Sequence, residues 1–368
     1  MSRRKKILGG IALVLVLVGV AFAFLLSHDS ACPTPPAAQA GVPTMKAVVY
    51  RCYGSPKVLA VEDVAKPVPA DDEVLVKVRA AGVNPLDYHY LRGKPYIMRM
   101  GVGLGAPKSD RLGVDFAGTV EAVGTGVTTF HVGDEVFGAR DGAFAEYVVV
   151  QAARNVALKP ANVSFEQAAG VPIAAVTALQ SLRDKGQLKA GQKVLINGAS
   201  GGVGTFAVQI AKQLGAHVTG VCSSRNVELV KSLGADRVID YTREDFTKDP
   251  VKYDIIIDTP GNRSLGEYRS VMTEHGRYVM VGGPKTGSWL GPLGKGLSAG
   301  AYSPFVSQDF SMILTNVNPQ DLAFLSDLMS AGKMTTVVDR RYTLAQAADA
   351  ITYVELGHAR GKVVLLLE

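Results

Sequence analysis

The sequence predicts an α/β chain in two parts, a β-rich lobe followed by a doubly wound parallel sheet, preceded by one N-terminal transmembrane helix. Three observations predict it. From Met45 to about Val150, short runs alternate apolar and polar residues between Gly and Pro punctuation, the pattern of a barrel or sandwich. From near Phe165, short apolar runs alternate with helical stretches, the rhythm of a buried parallel sheet. Ahead of both, Ile7 to Leu26 is a run of twenty residues without a charge. As a helix it rises about 30 Å, the thickness of a bilayer's hydrocarbon core.

The 368 residues give room for two cores and an appendage. With 47% hydrophobic residues, 20% charged residues and 40 glycines, the chain is neither disordered nor a coiled coil. The formal net charge is +6, but Arg3, Arg4, Lys5 and Lys6 against Asp29 put +3 of it in residues 1–44. The body is therefore close to neutral, and no nucleic-acid partner is expected. Cys32, Cys52 and Cys222 are scattered and odd in number, so neither a disulfide framework nor a multi-cysteine metal site is expected, which suits a reducing compartment.

Residues 1–44 read as an anchor, with its span at 7–26, followed by a Pro- and Ala-rich linker from Cys32 to Thr44. A cleaved secretory signal is the rival reading, since Ala38-Gln-Ala40 fits a small-residue cleavage site. A lipoprotein signal at Cys32 is disfavoured because Asp29 stands where an aliphatic residue is wanted. Basic residues before the span and none just after it place the body outside the cytoplasm.

In the body, strands are expected at Lys46–Tyr50, Glu73–Ala80, Asp115–Val123, Asp134–Phe137 and Ala143–Val150. The second part should hold strands Val194–Asn197, His217–Cys222, Arg237–Asp240, Asp254–Asp258 and Arg277–Val281. A helix over Asp321–Ala331, a strand over Val337–Tyr342, another helix and a strand over Lys362–Leu367 follow.

The run Lys193–Asn197 leads directly into Gly198-Ala-Ser-Gly-Gly-Val-Gly204 and then a helix with apolar Val203, Ala207, Ile210, Ala211 and Leu214 on one face. Strand, glycine turn and helix together form a dinucleotide-binding context. Glycines admit a pyrophosphate to the backbone, and the helix N-terminus stabilises its charge. The second strand ends in Ser223, Ser224 and Arg225, where an NAD enzyme places an acid on the ribose 2′-hydroxyl. An acid would repel a 2′-phosphate, whereas Arg225 can pair with it. The expected cofactor is NADPH. Because NADPH is a cytoplasmic cofactor, this reading and the charge pattern point to opposite sides of the membrane.

Several motifs in order, Ala81-Gly-Val-Asn-Pro-Leu-Asp87, Gly113-Val-Asp-Phe-Ala-Gly-Thr-Val120, Val132-Gly-Asp-Glu-Val-Phe-Gly138, Gly142-Ala-Phe-Ala-Glu-Tyr147 and His358-Ala-Arg-Gly-Lys362, resemble the medium-chain dehydrogenase/reductase superfamily from Met45 to Glu368. Within it, the zinc-free quinone oxidoreductase branch is most similar, including reticulon-interacting oxidoreductases and alkenal reductases. The resemblance implies a GroES-like catalytic domain over 45–168, a Rossmann domain over 169–317 and a return to the catalytic domain over 318–368. It also implies that Ser200, Gly202, Val203, Ser224, Arg225 and Tyr241 touch the cofactor, and that Gly361 and Lys362 approach its nicotinamide end. The zinc relatives bind metal through a Cys in the first motif and a Gly-His-Glu in the second. Here Asn84 and Val114-Asp115 stand instead, so no metal site is expected.

What remains is hydride transfer to an activated acceptor, a lipophilic quinone or an α,β-unsaturated carbonyl. Asn84 is expected to hydrogen-bond the acceptor carbonyl, or else to cap the loop before Pro85. Tyr88 is a proton-donor candidate whose alternative is packing. The segment from Pro284 to about Phe305, with the sole tryptophan Trp289, reads as a lipophilic entrance or membrane contact, or as a buried loop or homodimer contact. Two further functional readings stand beside the leading one: a zinc-free reductase of alkenals or aldehydes, and a non-catalytic NADPH sensor.

Overall fold

Val and Ile are stiff at Cβ and pack well on a pleated surface, and strands form where the sequence is rich in them. A computed structural model describes residues 3–34, 41–283 and 287–367, with side chains described from Leu13 onward. The first lobe holds β1 (Thr44–Val49), β2 (Ala60–Ala65), β3 (Glu73–Val83), β4 (Asp115–Val123), β5 (Glu135–Ala139), β6 (Tyr147–Gln151) and β7 (Val156–Leu158). The second holds β8 (Lys193–Asn197), β9 (His217–Cys222), β10 (Arg237–Asp240), β11 (Tyr253–Asp258), β12 (Met272–Met280) and β13 (Asp309–Met312). Near the end of the chain lie β14 (Val338–Thr343) and β15 (Lys362–Leu366).

The second lobe is a parallel sheet in the order β10-β9-β8-β11-β12-β13. Alternate residues of β8 serve two cores: Val194 and Ile196 face one, Leu195 the other. This is why the strands read as unbroken apolar runs. The order reverses between β8 and β11, the crevice at whose carboxyl edge open α/β sheets bind ligands. The first lobe's large sheet runs β14-β15-β3-β4-β5-β7, with β6 also on β3. β15 pairs antiparallel with β3, Val363 opposite Val83, so the end of the chain lies beside the loop that starts at Asn84.

Three strands were not legible. β2 is mostly exposed and sets Glu62 beside Asp63, and β7 and β13 have three and four residues with one buried in each, so none alternates enough to be seen. The strand expected from Ala143 starts only at Tyr147. Gly142 has φ +89°, and Ala143 to Ala145 form a buried turn whose Phe144 N–H donates to Leu112 O.

The expected span lies within a helix over Arg3–Ser27, of which the side chains of 1–12 lie outside the described residues. Among the described residues no helix is long and apolar enough to cross a membrane. Ala38-Gln-Ala40 and residues 284–286 also lie outside them. The expectation of no disulfide is corrected: Cys32 and Cys52 are bonded, with Cα atoms 4.9 Å apart. Twenty residues separate them in sequence, a spacing that carries no signal by itself. The linker is therefore fastened at its start. Arg99, with its side chain fully buried, donates to Leu26 O, His28 O and the Asp29 carboxylate, and Ser30 N–H donates to Gly105 O.

Candidate active site

The glycine turn is shaped by two of its glycines and opened by the other two. Gly198 has φ +83°, and a Cβ there would stand 2.1 Å from Thr259 Oγ1. A Cβ on Gly204 would stand 2.1 Å from Gly198 O, so only glycine fits either place. At Gly201 and Gly202 the nearest atoms are 3.5 and 3.4 Å away. Those two leave room beside the N-terminus of the helix Gly202–Gln213, which no side chain caps, leaving its first N–H groups for a ligand. Val203 packs against the core beneath.

Ser200 Oγ accepts a hydrogen bond from Asn226 Nδ2 at 2.9 Å, and Ser223 Oγ accepts a second at 3.3 Å. Asn226 is buried, and its Oδ1 has no partner among the described residues. An orphaned buried acceptor between the glycine turn and the end of β9 fits a ribose hydroxyl. The sequence reading passed over Asn226; an amide directly after the Ser-Ser-Arg run was the available signal. Ser224 Oγ donates to Asp240 Oδ2 at 2.6 Å. Arg225 is exposed and donates to His358 O at 3.0 Å, which holds its guanidinium at the rim between the lobes. Tyr241 is 57% exposed just past β10, its N–H on Cys222 O. Glycine room, helix N-terminus, orphaned acceptor and exposed guanidinium together fit a dinucleotide carrying an extra phosphate.

The lobes meet at this turn. Gly201 and Gly361 form a parallel bridge, and Gly361 N–H donates to Ser200 O at 2.9 Å. Gly361 has φ +87°, and a Cβ on it would lie 2.2 Å from Val337 O. Next to it, Lys362 is buried. Its Nζ donates to Asn84 Oδ1 at 2.5 Å and reaches Asp115 Oδ2 at 3.5 Å. Asn84 Nδ2 gives one hydrogen to Asp115 Oδ2 at 2.9 Å and one to Gly82 O at 3.3 Å. Both amide hydrogens are thus spent inside the protein, and the structure uses Asn84 to hold Lys362 rather than to offer a donor to the cleft. Asn84 also begins the helix Pro85–Arg92, where Asp87 Oδ2 accepts its backbone N–H at 2.7 Å. The capping alternative describes that part of it.

Asp115 drew attention in the sequence only as part of the replaced metal motif, and Asp87 only as the end of its own motif. Asp115 Oδ1 accepts from Ile173 N–H at 3.0 Å, fastening the next helix, Pro172–Gln180, to the cluster. Burial pushes the Asp87 carboxyl up to about 7, against the pull of its bond from Asn84. Burial also raises Asp115 and lowers Lys362, while their mutual attraction works against both shifts. Tyr88 lies in the apolar core of the first lobe with Leu91 and Ile351, and burial pushes its phenol up to about 12. Trp289 is half-exposed. It meets Tyr96 edge-on at 5.2 Å, and its carbonyl accepts Ile97 N–H, so its segment joins the two lobes.

Residues 70–161 match the alcohol dehydrogenase GroES-like domain, and residues 233–365 match the zinc-binding dehydrogenase family. The 2-methylene-furan-3-one reductase of Solanum lycopersicum is 35% identical over 336 residues, 87% of this chain and 79% of that protein. The chain belongs to the quinone oxidoreductase branch of the medium-chain dehydrogenase/reductase superfamily. The chloroplastic NADPH-dependent alkenal/one oxidoreductase of Arabidopsis thaliana is 34% identical, covering 89% of this chain and 81% of its own. The solved quinone oxidoreductase of Coxiella burnetii superposes with a TM-score of 0.78 at 31% identity, covering 89% of this chain and all of that one. As a member of this branch the chain is an NAD(P)H-dependent oxidoreductase with a GroES-like lobe and a Rossmann lobe. Among the described residues no group of three or more His, Cys, Asp or Glu side chains is placed to hold a metal ion. Asn84 and Asp115 instead surround the ammonium of Lys362.

Proposed function

We propose that the protein transfers a hydride from NADPH to a lipophilic quinone or an α,β-unsaturated carbonyl, and that the helix Arg3–Ser27 fastens it to a membrane. The observation that carries the catalytic reading is the contact of Gly201 with Gly361, which brings the nucleotide turn against the Lys362 cluster. When bound, NADPH supplies the hydride. Gly201, Gly202 and Ser200 would hold its pyrophosphate side, Asn226 and Ser223 its adenosine ribose, Ser224 and Arg225 the 2′-phosphate, and Tyr241 the rim beside the adenosine. Lys362 places a buried positive charge, offset by Asp115, at the floor of the cleft. Such a fixed charge favours negative charge growing on an acceptor oxygen. The lobes on either side exclude water and orient the acceptor.

The anchor reading rests on the charge-free run from Ile7 to Leu26 and on the apolar side chains from Leu13 to Leu25, which the body leaves exposed. Domain limits at 45–168, 169–317 and 318–368 accord with β14 and β15 joining the first lobe's sheet.

The catalytic test is NADPH oxidation by the full chain in detergent micelles, followed by absorbance with a para-quinone and with an alkenal. Acceptor-dependent oxidation is expected with at least one class. NADPH binding with no turnover on either class would overturn the reading in favour of a sensor.

A further inference from the structure

Where the N-terminal helix leaves the body, the chain is not a free tether. Leu26 is buried against the body, while Phe24 and Leu25, just before it, are exposed. Arg99 is stacked between the rings of Tyr53 and Tyr96, at 4.3 and 4.8 Å. It spends its guanidinium on Gly93 O, Leu26 O, His28 O and the Asp29 carboxylate. The carbonyls of Leu26 and His28 belong to the end of the helix, which a cation suits. The Ser30 to Gly105 hydrogen bond and the Cys32 to Cys52 bond secure the next turn of chain. A helix held this way fixes which side of the body faces whatever the helix enters.

That side is apolar. Met100 and Leu104, within a few residues of Arg99 and Gly105, are 58% and 57% exposed, and Trp289 and Leu290, beside Tyr96, are 47% and 43% exposed. Lys94 and Lys108 stand exposed on the same segments. Tryptophan among aliphatic side chains with lysines at the edge is the composition of a surface lying at lipid headgroup depth. The helix Pro85–Arg92, about 12 Å long, leads from Asn84 towards the segment of Lys94 and Tyr96, where Trp289 of the second lobe meets Tyr96, so the patch lies where the two lobes meet.

We propose that Met100, Leu104, Trp289 and Leu290 form a docking face that rests on the lipid bilayer, setting the cleft mouth at the membrane surface so that a lipophilic acceptor enters from the lipid. This rests on the anchor reading above. The occupant is the bilayer rather than a protein, because the apolar helix leaves the body beside the patch, held there by Arg99 and by the Ser30 to Gly105 hydrogen bond, and carries the same chemistry onward.

Trp289 is the sole tryptophan and reports its own surroundings. The full chain is reconstituted into phosphatidylcholine and phosphatidylglycerol vesicles, with flotation measured alongside Trp289 fluorescence. Bromine on the acyl chains near the headgroups should quench Trp289, and acrylamide in the water should quench it less than in micelles. Met100→Asp with Leu104→Asp should still float and should lose the bromine quenching. A chain that floats while Trp289 stays open to acrylamide and untouched by bromine overturns the docking face and leaves the anchor standing. A chain that does not float overturns both. Acrylamide protection that depends on protein concentration, without bromine quenching, overturns the bilayer in favour of a second copy.

Discussion

Lys362 Nζ lies 2.5 Å from Asn84 Oδ1 across 278 residues of sequence. With Asp115 Oδ2 accepting from the Asn84 amide, the three side chains form a closed, buried set. Each partner is buried on the strength of the others. Replacing Lys362 by methionine keeps the aliphatic stem and leaves Asp115 without its counter-charge, which costs about 3–5 kcal/mol in a buried pair. Lys362→Met should lower the denaturant midpoint accordingly, and adding Asp115→Asn should recover part of the loss. An unchanged midpoint in the single variant would show the pair to be structurally idle.

Asp87 gives the same region a pH dependence. Its carboxyl holds a proton up to about pH 7 in the folded protein, whereas an unfolded chain loses it near pH 4. Between those values the unfolded state binds fewer protons, so stability falls as pH rises through the window and levels off above it. Asp87→Asn keeps an oxygen for the Asn84 N–H and removes the titration. Thermal midpoints of the variant and the parent should coincide at and below about pH 4 and separate as pH rises, the variant being the more stable near pH 8. Parallel curves across that range would remove Asp87 as the titrating group.

The parts of the fold written as periodicity were legible, and the parts written as distance were not. Val194 to Asn197 and His217 to Cys222 announced themselves because both faces of the sheet are covered and the strands are apolar throughout. The glycine turn was legible because Gly198 and Gly204 answer to backbone geometry within a few residues. Asn84 and Lys362 were singled out separately, but nothing in either stretch says that the Lys362 side chain crosses to the first lobe's Asn84 and consumes its amide. Asn226, Asp115 and Cys52 share that difficulty: each acquires its meaning from a partner that only the folded chain brings near.

The Cys32 to Cys52 bond is the plainest example, and it changes the expectation about compartment. Such bonds persist in oxidising surroundings, whereas the scattered cysteines were expected to suit a reducing compartment. Cys222 is buried with its thiol pushed up to about 11, so it is unreactive in the folded state. Alkylating the unreduced, denatured protein should label one cysteine by mass, and three labels would mean that Cys32 and Cys52 stand reduced. Closing a loop of this size contributes about 3 kcal/mol. Cys32→Ser should therefore lower the unfolding midpoint by that order, with reductant affecting the parent and not the variant.

In the proposed reading, the preference for NADPH turns on the exposed Arg225. Asp240 is the carboxylate nearest to Ser224, and it is occupied by the hydroxyls of Ser224 and Thr242 and by the Thr242 N–H. Those bonds lower its proton affinity and keep it charged. A 2′-phosphate placed there would meet that charge, and needs a cation besides Arg243, which pairs with Asp240 at 3.6 Å, to offset it. Arg225, held at the rim by His358 O, is the residue positioned to do so, through charge-assisted bonds that an arginine gives in parallel. Arg225→Glu should remove that offset and add a second negative charge. The ratio of kcat/KM for NADPH over NADH should fall by at least about tenfold, the equivalent of 1.4 kcal/mol, with most of the change in the KM for NADPH. Arg225→Lys should retain part of the preference, since it keeps the charge and loses the paired geometry. An unchanged ratio in the glutamate variant would move the 2′-phosphate site away from the end of β9.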